Sequence, residues 1–356
     1  MALMTDLARL LGLSHPIIQA PMAGGGDTPE LVAAVCNSGA LGFIGAAYLT
    51  PEQIEQTAAT VRAKTSHPFG INLFAPLPAP KSDRIPDSII ESLSSYLAEL
   101  EIPPPASASS PATNFAEQLT ACLDSGASCF SFTFGLLPSD ALAQMKSRKM
   151  FLIGTATTVE EALHLERLGA NGIVAQGSEA GGHRGTFAAD FDQAMVGTIS
   201  LLPQVVDAVH VPVIASGGIM DGRGIVAALA LGAQAVQMGT AFLTCNEAGV
   251  PEVYKRAILN AREDQTRITR AFSGRPARGI ANRFMTEIEQ HEDSIPEFPI
   301  QNSLTRPLRT AAAKQGRAEF LSLWAGQGVR LARRQSAAEL VRRLAKEMEE
   351  VAGRLS

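Results

Sequence analysis

The chain has 356 residues and a net charge of −5, with 46% hydrophobic and 5% aromatic residues. The lack of a basic surplus argues against nucleic acid as a partner, and no run of about 18 apolar residues is present that would span a membrane. The four cysteines, at 36, 122, 129 and 245, show no metal-ligand spacing, so we expect reduced thiols, no metal site and a cytoplasmic protein.

Short apolar or β-branched runs recur along the chain, with room for one helix between each pair. They cover residues 16–22, 41–47, 69–74, 129–135, 150–156, 172–175, 211–216 and 235–243. Helix-start signals lie between them at Thr28, Thr50, Thr158 and Asp221. Eight strands that alternate with helices predict an α/β fold, a TIM (β/α)8 barrel with parallel strands buried on both faces.

Two segments interrupt this alternation. Residues 76–112 are rich in Pro, Ser and Ala around one helical stretch at 87–100, and residues 245–316 contain one helix at 251–262 followed by irregular sequence. The amphipathic tail at 337–352 is predicted to supply the eighth helix of the barrel. We therefore expect a barrel of residues 1–75, 113–244 and 317–356. A smaller, mostly helical or irregular lid, residues 76–112 and 245–316, is expected over the C-terminal ends of the strands.

The loops at the ends of the seventh and eighth predicted strands have the composition of a phosphate site. Their residues are Ser216, Gly217, Gly218, Gln237, Met238, Gly239 and Thr240. Glycines expose backbone N–H groups to an anion, and Thr240 adds a hydroxyl donor. In a TIM barrel these two loops often hold a phosphate, although tight turns alone would also account for the glycines.

The ends of the first and third predicted strands offer groups that suit a flat heterocycle. Ala20, Pro21 and Met22 bring backbone atoms and a thioether, which packs well on an aromatic face. Asn72 offers both a donor and an acceptor for a ring edge. Ordinary barrel packing by Met22 and a satisfied strand-end amide at Asn72 are the alternatives.

A glycine-rich loop with a single histidine, QGSEAGGHRG, follows the sixth predicted strand. Gly181 and Gly182 permit a ligand to approach His183 closely. A histidine can act near neutral pH as a base or as a hydrogen-bond donor, which makes His183 the candidate catalytic residue. The flanking Glu179 and Arg184 either tune His183 or form an ion pair that holds the loop.

Seven motifs in order along the chain resemble those of the nitronate monooxygenases. They are QAPMAGG, INLF, SFTFG, QGSEAGGHRG, ASGGIMDGRG, VQMGTAF and SGRPARG. The resemblance extends over roughly residues 14–330 and is far more specific than any one glycine pattern. The last motif, at 273–279, either aims a guanidinium at an anionic ligand or forms a surface turn.

The resemblance implies a TIM barrel that binds FMN without a covalent bond and oxidises alkyl nitronates with O2 to a carbonyl compound and nitrite. Propionate 3-nitronate, a metabolic poison, is the substrate that it implies, and detoxification is the corresponding role. His183 would be the active-site histidine. The residues that would contact FMN are Met22, Gln176, Gly181, Gly218, Gln237, Met238, Gly239 and Thr240.

Two positions depart from the family pattern and affect the side of the site that faces the substrate. Thr133 stands where many members have histidine, and Asn302 lies near a position where some have tyrosine. Two other functions stay open. One is an NAD(P)H-dependent FMN reductase on the same barrel, acting on an enoyl thioester or a quinone. The other is a flavin- or phosphate-binding module without turnover. For the oligomeric state we expect a monomer or a homodimer.

Overall fold

A ring of parallel strands forms the centre of the molecule. The computed structural model describes residues 3–80, 85–103 and 114–355. Its strands are β1 Ile17–Gln19, β2 Phe43–Gly45, β3 Gly70–Phe74, β4 Cys129–Thr133, β5 Phe151–Ala156, β6 Gly172–Gln176, β7 Gly182–His183, β8 Val213–Ser216, β9 Ala235–Met238, β10 Thr266–Thr269 and β11 Ala277–Ile280. Eight of them form one parallel sheet in the order β1-β9-β8-β6-β5-β4-β3-β2, which confirms the predicted TIM barrel.

The barrel closes between β1 and β2 through a short seam. One parallel bridge joins Ile18 to Leu41, and the Gln19 amide N–H donates to the Leu41 carbonyl at 2.8 Å. The fully buried Gln19 side chain extends this seam, since its Oε1 accepts the Phe43 N–H at 3.0 Å. The Gln19 side chain therefore adds a hydrogen bond to the seam that the backbone of the three-residue strand β1 does not make.

Helices surround the ring and continue into the lid. They are α1 Asp6–Leu10, α2 Pro29–Asn37, α3 Pro51–Lys64, α4 Asp87–Glu99, α5 Phe115–Asp124, α6 Ser139–Ser147, α7 Val159–Leu168, α8 Thr198–Ala208, α9 Gly222–Ala230, α10 Thr240–Leu243, α11 Glu252–Asn260, α12 Arg283–Ile288, α13 Ile300–Gln315 and α14 Ala337–Leu355. The predicted caps Thr28, Thr50, Thr158 and Asp221 are confirmed, because each side chain accepts an N–H of the first turn. No helix among the described residues is long and apolar enough to cross a membrane.

The last helix of the chain completes the barrel, as predicted. Helix α14 packs against α9 and α2, and its buried side chains join the barrel core. Helices α9 and α14 approach closely at Gly222, where a Cβ would lie 2.4 Å from the Cβ of Glu347. The Glu347 carboxylate also accepts the Gly222 N–H at 3.0 Å. The C-terminal segment is therefore an integral part of the barrel.

A second hydrophobic core lies outside the barrel and combines α4, α11, α12 and α13. The expectation of irregular sequence after 262 is wrong for α13, a helix of 16 residues that contains Pro307. Proline in a helix interior costs about 3 kcal/mol, but Leu304, Leu308 and Ala312 form a buried stripe at helical spacing that offsets this cost. The strand β11 pairs with both β10 and β7, so the lid sheet reaches back to the loop after β6.

The division into barrel and lid stays a proposal, and one of its boundaries changes. Residues 317–356 were expected to belong to the barrel, but Phe320, Leu321 and Val329 pack in the second core. We therefore assign residues 318–331 to the lid. Within the predicted insertion 76–112, residues 81–84 and 104–112 lie outside the described part of the chain.

Candidate active site

A cavity of about 940 Å³ lies at the carboxyl ends of the barrel strands, between the barrel loops and α13. This volume is in the range of cofactor and ligand sites, roughly 300–1,000 Å³. Every predicted site residue lines it: Ala20, Pro21, Met22, Asn72, Gln176, Gly181, Gly182, His183, Ser216, Gly217, Gly218, Gln237, Met238, Gly239 and Thr240. The structure thus brings together segments that are far apart in the sequence, while the role of each residue stays a prediction.

The loop after β8 has the backbone conformation that its glycines suggest. Gly217 and Gly218 have φ of +114° and +73°, a region that residues with a Cβ rarely adopt. A Cβ on Gly217 would also lie 3.0 Å from the hydroxyl of Thr198. In the loop after β9, the hydroxyl oxygen of Thr240 accepts the Gly326 N–H at 2.9 Å. The hydroxyl hydrogen of Thr240 therefore stays available for donation to a ligand. These groups suit an anion that is approached by backbone and hydroxyl donors.

Neither of the two predicted roles for the residues flanking His183 is observed. The Glu179 carboxylate accepts hydrogen bonds from the backbone N–H and the hydroxyl of Thr198, both at 2.9 Å. The buried Arg184 guanidinium donates to the carbonyls of Ala194 and Gln176. The two side chains form no ion pair with each other, and both instead fix the loop to its surroundings.

At their carboxyl ends, β1 and β3 present to the cavity the groups expected to meet a ring. The Asn72 Nδ2 donates to the Ser131 hydroxyl at 2.8 Å, and its Oδ1 has no partner among the described residues. Asp27, which sequence reasoning missed, holds the loop after β1 in place. Its Oδ2 accepts the N–H of Met22 at 2.8 Å and that of Gly45 at 2.6 Å. Burial raises the pKa of Asp27 to about 7, although these hydrogen bonds act in the opposite direction.

The imidazole of His183 is oriented by a residue of the lid. Its Nε2 lies 2.8 Å from the hydroxyl oxygen of Ser273, which is 1% exposed. The same oxygen lies 3.0 Å from the Arg275 carbonyl and 3.3 Å from the Arg275 backbone nitrogen. We assign the hydroxyl hydrogen to the carbonyl, so that Ser273 accepts from His183, Nε2 carries the hydrogen and Nδ1 carries the lone pair. The register of β7 on β11, with His183 opposite Ala277, brings these two residues together.

Aromatic rings enclose His183. Its ring centroid lies 5.5 Å from that of Trp324, 5.9 Å from that of Phe134 and 6.2 Å from that of Phe298. Burial, followed by the positive charges of Arg275 and Arg309, lowers the pKa of His183 to about 3. The imidazole is therefore neutral near pH 7 before any anion binds beside it.

The SGRPARG segment has neither of the two roles predicted for its arginines. The Arg275 guanidinium stacks on the ring of Phe134 at 4.0 Å and donates to the Thr186 carbonyl. The Arg278 Nε donates to the Ser178 carbonyl at 3.0 Å. Neither arginine lines the cavity, and Ser273, Ala277 and Arg278 are buried. The segment is thus a structural support rather than an anion-binding loop or a surface turn.

The cations that do line the cavity are on α13: Arg306, Arg309 and Lys314. Sequence reasoning missed them because it predicted irregular structure here, although the three-residue spacing of Arg306 and Arg309 is compatible with one face of a helix. Thr133 and Asn302, the two departures from the family pattern, line the same cavity. The carbonyl and the Oδ1 of Asn302 accept hydrogen bonds from Arg309 at 2.9 Å and 2.8 Å. No cluster of metal-ligating side chains occurs in the described ranges.

Comparison with known proteins gives a consistent result. The family model for nitronate monooxygenase matches residues 5–347. The probable nitronate monooxygenase of Staphylococcus saprophyticus is 43% identical over 99% of this chain and 100% of its own length. The crystal structure of nitroalkane oxidase from Streptomyces ansochromogenes is similar, with 42% identity, coverage of 99% and 100% of the two chains, and a TM-score of 0.90. FabK from Thermotoga maritima has 30% identity, coverage of 99% and 98%, and a TM-score of 0.78.

Proposed function

Because this chain belongs to the nitronate monooxygenase family, whose members are flavin-dependent oxidoreductases, we propose that it oxidises alkyl nitronates with O2 to a carbonyl compound and nitrite. Propionate 3-nitronate is the proposed substrate, and its detoxification the proposed role. The observation that carries the proposal is one cavity lined both by the glycine loops after β8 and β9 and by His183. A cytoplasmic location is also proposed, supported by four cysteines that are all unpaired and buried.

We propose FMN, bound without a covalent bond, as the flavin. The left-handed backbone at Gly217 and Gly218 and the free O–H of Thr240 offer donors to one phosphate. Met22 and the unpaired Oδ1 of Asn72 suit the face and the edge of a flat ring. When bound, the flavin would supply the electron acceptor for the reaction. The identity of the flavin is tested by denaturing the purified protein and measuring the mass of the released cofactor, and FAD would contradict the proposal.

His183 would act through Nδ1, because the hydrogen on Nε2 is donated to Ser273. A neutral nitroalkane must lose a proton from carbon, and the Nδ1 lone pair can accept it. The pKa of about 3 makes His183 a weak base in the ligand-free site. The nitronate formed by this proton transfer, an anion beside the imidazolium, raises that pKa. A preformed nitronate needs no proton transfer, so we expect nitronates to react faster than neutral nitroalkanes.

The decisive experiment separates a monooxygenase from the alternative FMN reductase. The flavin-loaded protein is mixed anaerobically with NADH and, separately, with a nitronate, while the flavin absorbance is followed. Nitrite and the carbonyl product are then measured after O2 is admitted. We expect a change in flavin absorbance with the nitronate alone, followed by one nitrite for each nitronate consumed. Bleaching by NADH without nitrite formation from the nitronate would establish the reductase instead.

A further inference from the structure

The cavity carries positive charge on one wall only, the face of α13. Arg306, Arg309 and Lys314 all line the cavity from this helix. Arg306 and Lys314 are exposed, while Arg309 is half-buried and fixed by its hydrogen bonds to Asn302. Among the described residues, Asp27 is the one carboxyl group that lines the cavity, and its Oδ2 is held by two backbone N–H groups of the barrel loops.

These three cations lack the partners that other cations of the lid have. On the outer surface of the lid, Arg283 and Arg317 both pair with Glu99, at 2.8 Å and 2.5 Å. Within the described part of the chain, no ion pair includes Arg306, Arg309 or Lys314. Burial and the neighbouring charge of Arg306 lower the pKa of Arg309 to about 10. Arg306 and Arg309 are thus like charges close enough to interact, and no ion pair with a described carboxylate offsets them, an arrangement that favours an external anion.

An aromatic surface connects this charged face to His183. The ring of Tyr48, which lies in the electrostatic range of Arg306 and Arg309, is 5.5 Å from that of Phe74. Phe74 is 4.6 Å from Phe134, which in turn is 5.9 Å from His183. The wall between the cations and the imidazole is therefore largely aromatic and has a lower dielectric constant than water. Charges at the edge of such a wall act over longer distances than in open water.

We propose that the charged face of α13 selects the anionic form of the substrate. Arg306, Arg309 and Lys314 draw an ionised nitronate into the cavity and give no such advantage to its neutral nitroalkane. The inference rests on the proposed function, since a bound flavin phosphate would add negative charge to the opposite wall and repel an anionic substrate. The cations of α13 offset that repulsion and act mainly on association, so they should raise kcat/KM without changing kcat.

The test removes one exposed charge at a time. Lys314→Met should lower kcat/KM for a simple alkyl nitronate about two- to fivefold at low ionic strength, because the charge acts across a partly apolar cavity. Arg306→Met combined with Lys314→Met should give roughly the product of the two losses. kcat should be unchanged, and Lys314→Arg should restore the wild-type value. In about 0.5–1 M salt, where the screening length falls to a few ångströms, wild type and variant should converge.

Two controls distinguish selection from a general loss of function. Lys346→Met removes the same charge from α14, outside the cavity, and should leave kcat/KM unchanged. The neutral nitroalkane should react equally with wild type and Lys314→Met, whereas a nitronate with an added carboxylate should show roughly the square of the single-charge effect. Equal losses on the neutral and anionic forms, or an equal loss in Lys346→Met, would overturn the inference.

A binding measurement separates failure of this inference from failure of the proposed function. Propionate and its neutral analogue propionamide are titrated into the flavin-loaded protein and followed by flavin absorbance. Weaker binding of propionate, but not of propionamide, in the double variant supports the anion-selecting face even if no nitronate is oxidised. Equal affinities of wild type and double variant for propionate would refute it, whatever the outcome of the turnover assay.

Discussion

The two walls of the cavity offer different chemical groups. The barrel wall acts mainly through backbone atoms, and the lid wall acts through side chains. The barrel wall, residues 216–218 and 237–240, offers backbone N–H groups, glycines and one threonine hydroxyl. The lid wall, which includes residues of α13 and Trp324, works through side chains that come from separate segments. A wall that acts mainly through glycine backbone is sensitive to any added atom. A side-chain wall can be altered one function at a time.

The largest effect is expected from adding a side chain to the barrel wall. Gly218→Asp places a Cβ at a φ of +73°, within 3.3 Å of Glu179, and adds a negative charge where a phosphate is proposed. We expect the Kd for FMN to rise by at least about a hundredfold, since strain and repulsion act together. Fluorescence titration of the flavin-free protein measures this Kd.

A matched control separates the effect of the position from the effect of the Gly→Asp substitution itself. Gly169→Asp makes the same change at a φ of +96°, at the end of α7, where no atom lies within 4 Å of the new Cβ. It should lower stability somewhat but leave the Kd for FMN unchanged. Equal flavin occupancy in Gly218→Asp and wild type would remove the loop after β8 from the cofactor site.

The second prediction concerns His183, where the walls meet. His183→Asn removes the base while keeping similar size, so kcat/KM for a neutral nitroalkane should fall about a hundredfold or more. A preformed nitronate should lose much less, because no proton has to be abstracted. Steady-state kinetics with the neutral nitroalkane and with the nitronate, at equal flavin content, tests this prediction. Equal losses on both forms would mean that His183 positions the nitro group, and no loss on either would leave it a structural residue.

A smaller effect is expected at Ser273, which reaches the substrate only through His183. Ser273→Ala removes the acceptor that keeps hydrogen on Nε2, so kcat for a neutral nitroalkane should fall about tenfold. In the His183→Asn background the same change should have no further effect on kcat, since the two residues act as one unit. Additive losses in this double-mutant cycle would show that Ser273 acts independently of the histidine.

The smallest effect is expected for stability at Asp27. Its folded pKa of about 7 lies above the unfolded value of 3.8, so the contribution to stability is fully present below about pH 4 and is lost as the pH rises through 7. Asp27→Asn retains an acceptor for the two backbone N–H groups without a charge. The fall in Tm between pH 5 and pH 8 should therefore be about 2–4 °C smaller in the variant than in wild type. Identical pH dependence would show that Asp27 does not titrate in this range.

The contrast between the barrel wall and the lid wall also explains which parts of the fold and the site could be predicted from the sequence. The strands and the barrel wall were predictable because each is a contiguous pattern: alternating runs, capped helices and glycine loops such as 216–218. His183 was predictable for the same reason, from its glycine frame. Ser273 was not, because its contact depends on the register of β11 on β7. Helix α13 was missed because Pro299 and Pro307 indicate irregular structure, and only burial against the second core makes it a helix.

The position of α14 has a consequence for biosynthesis. A protein leaves the ribosome with its N-terminus first, and domains generally fold as units in that order. Helix α14, residues 337–355, fills the groove between α2 and α9 and is translated after the whole lid. Every strand of the barrel thus exists on the nascent chain while this apolar groove is still open to solvent. The helical layer of the barrel is therefore completed after its strands have been made, and a chain without the last helix would expose this apolar groove, which favours aggregation.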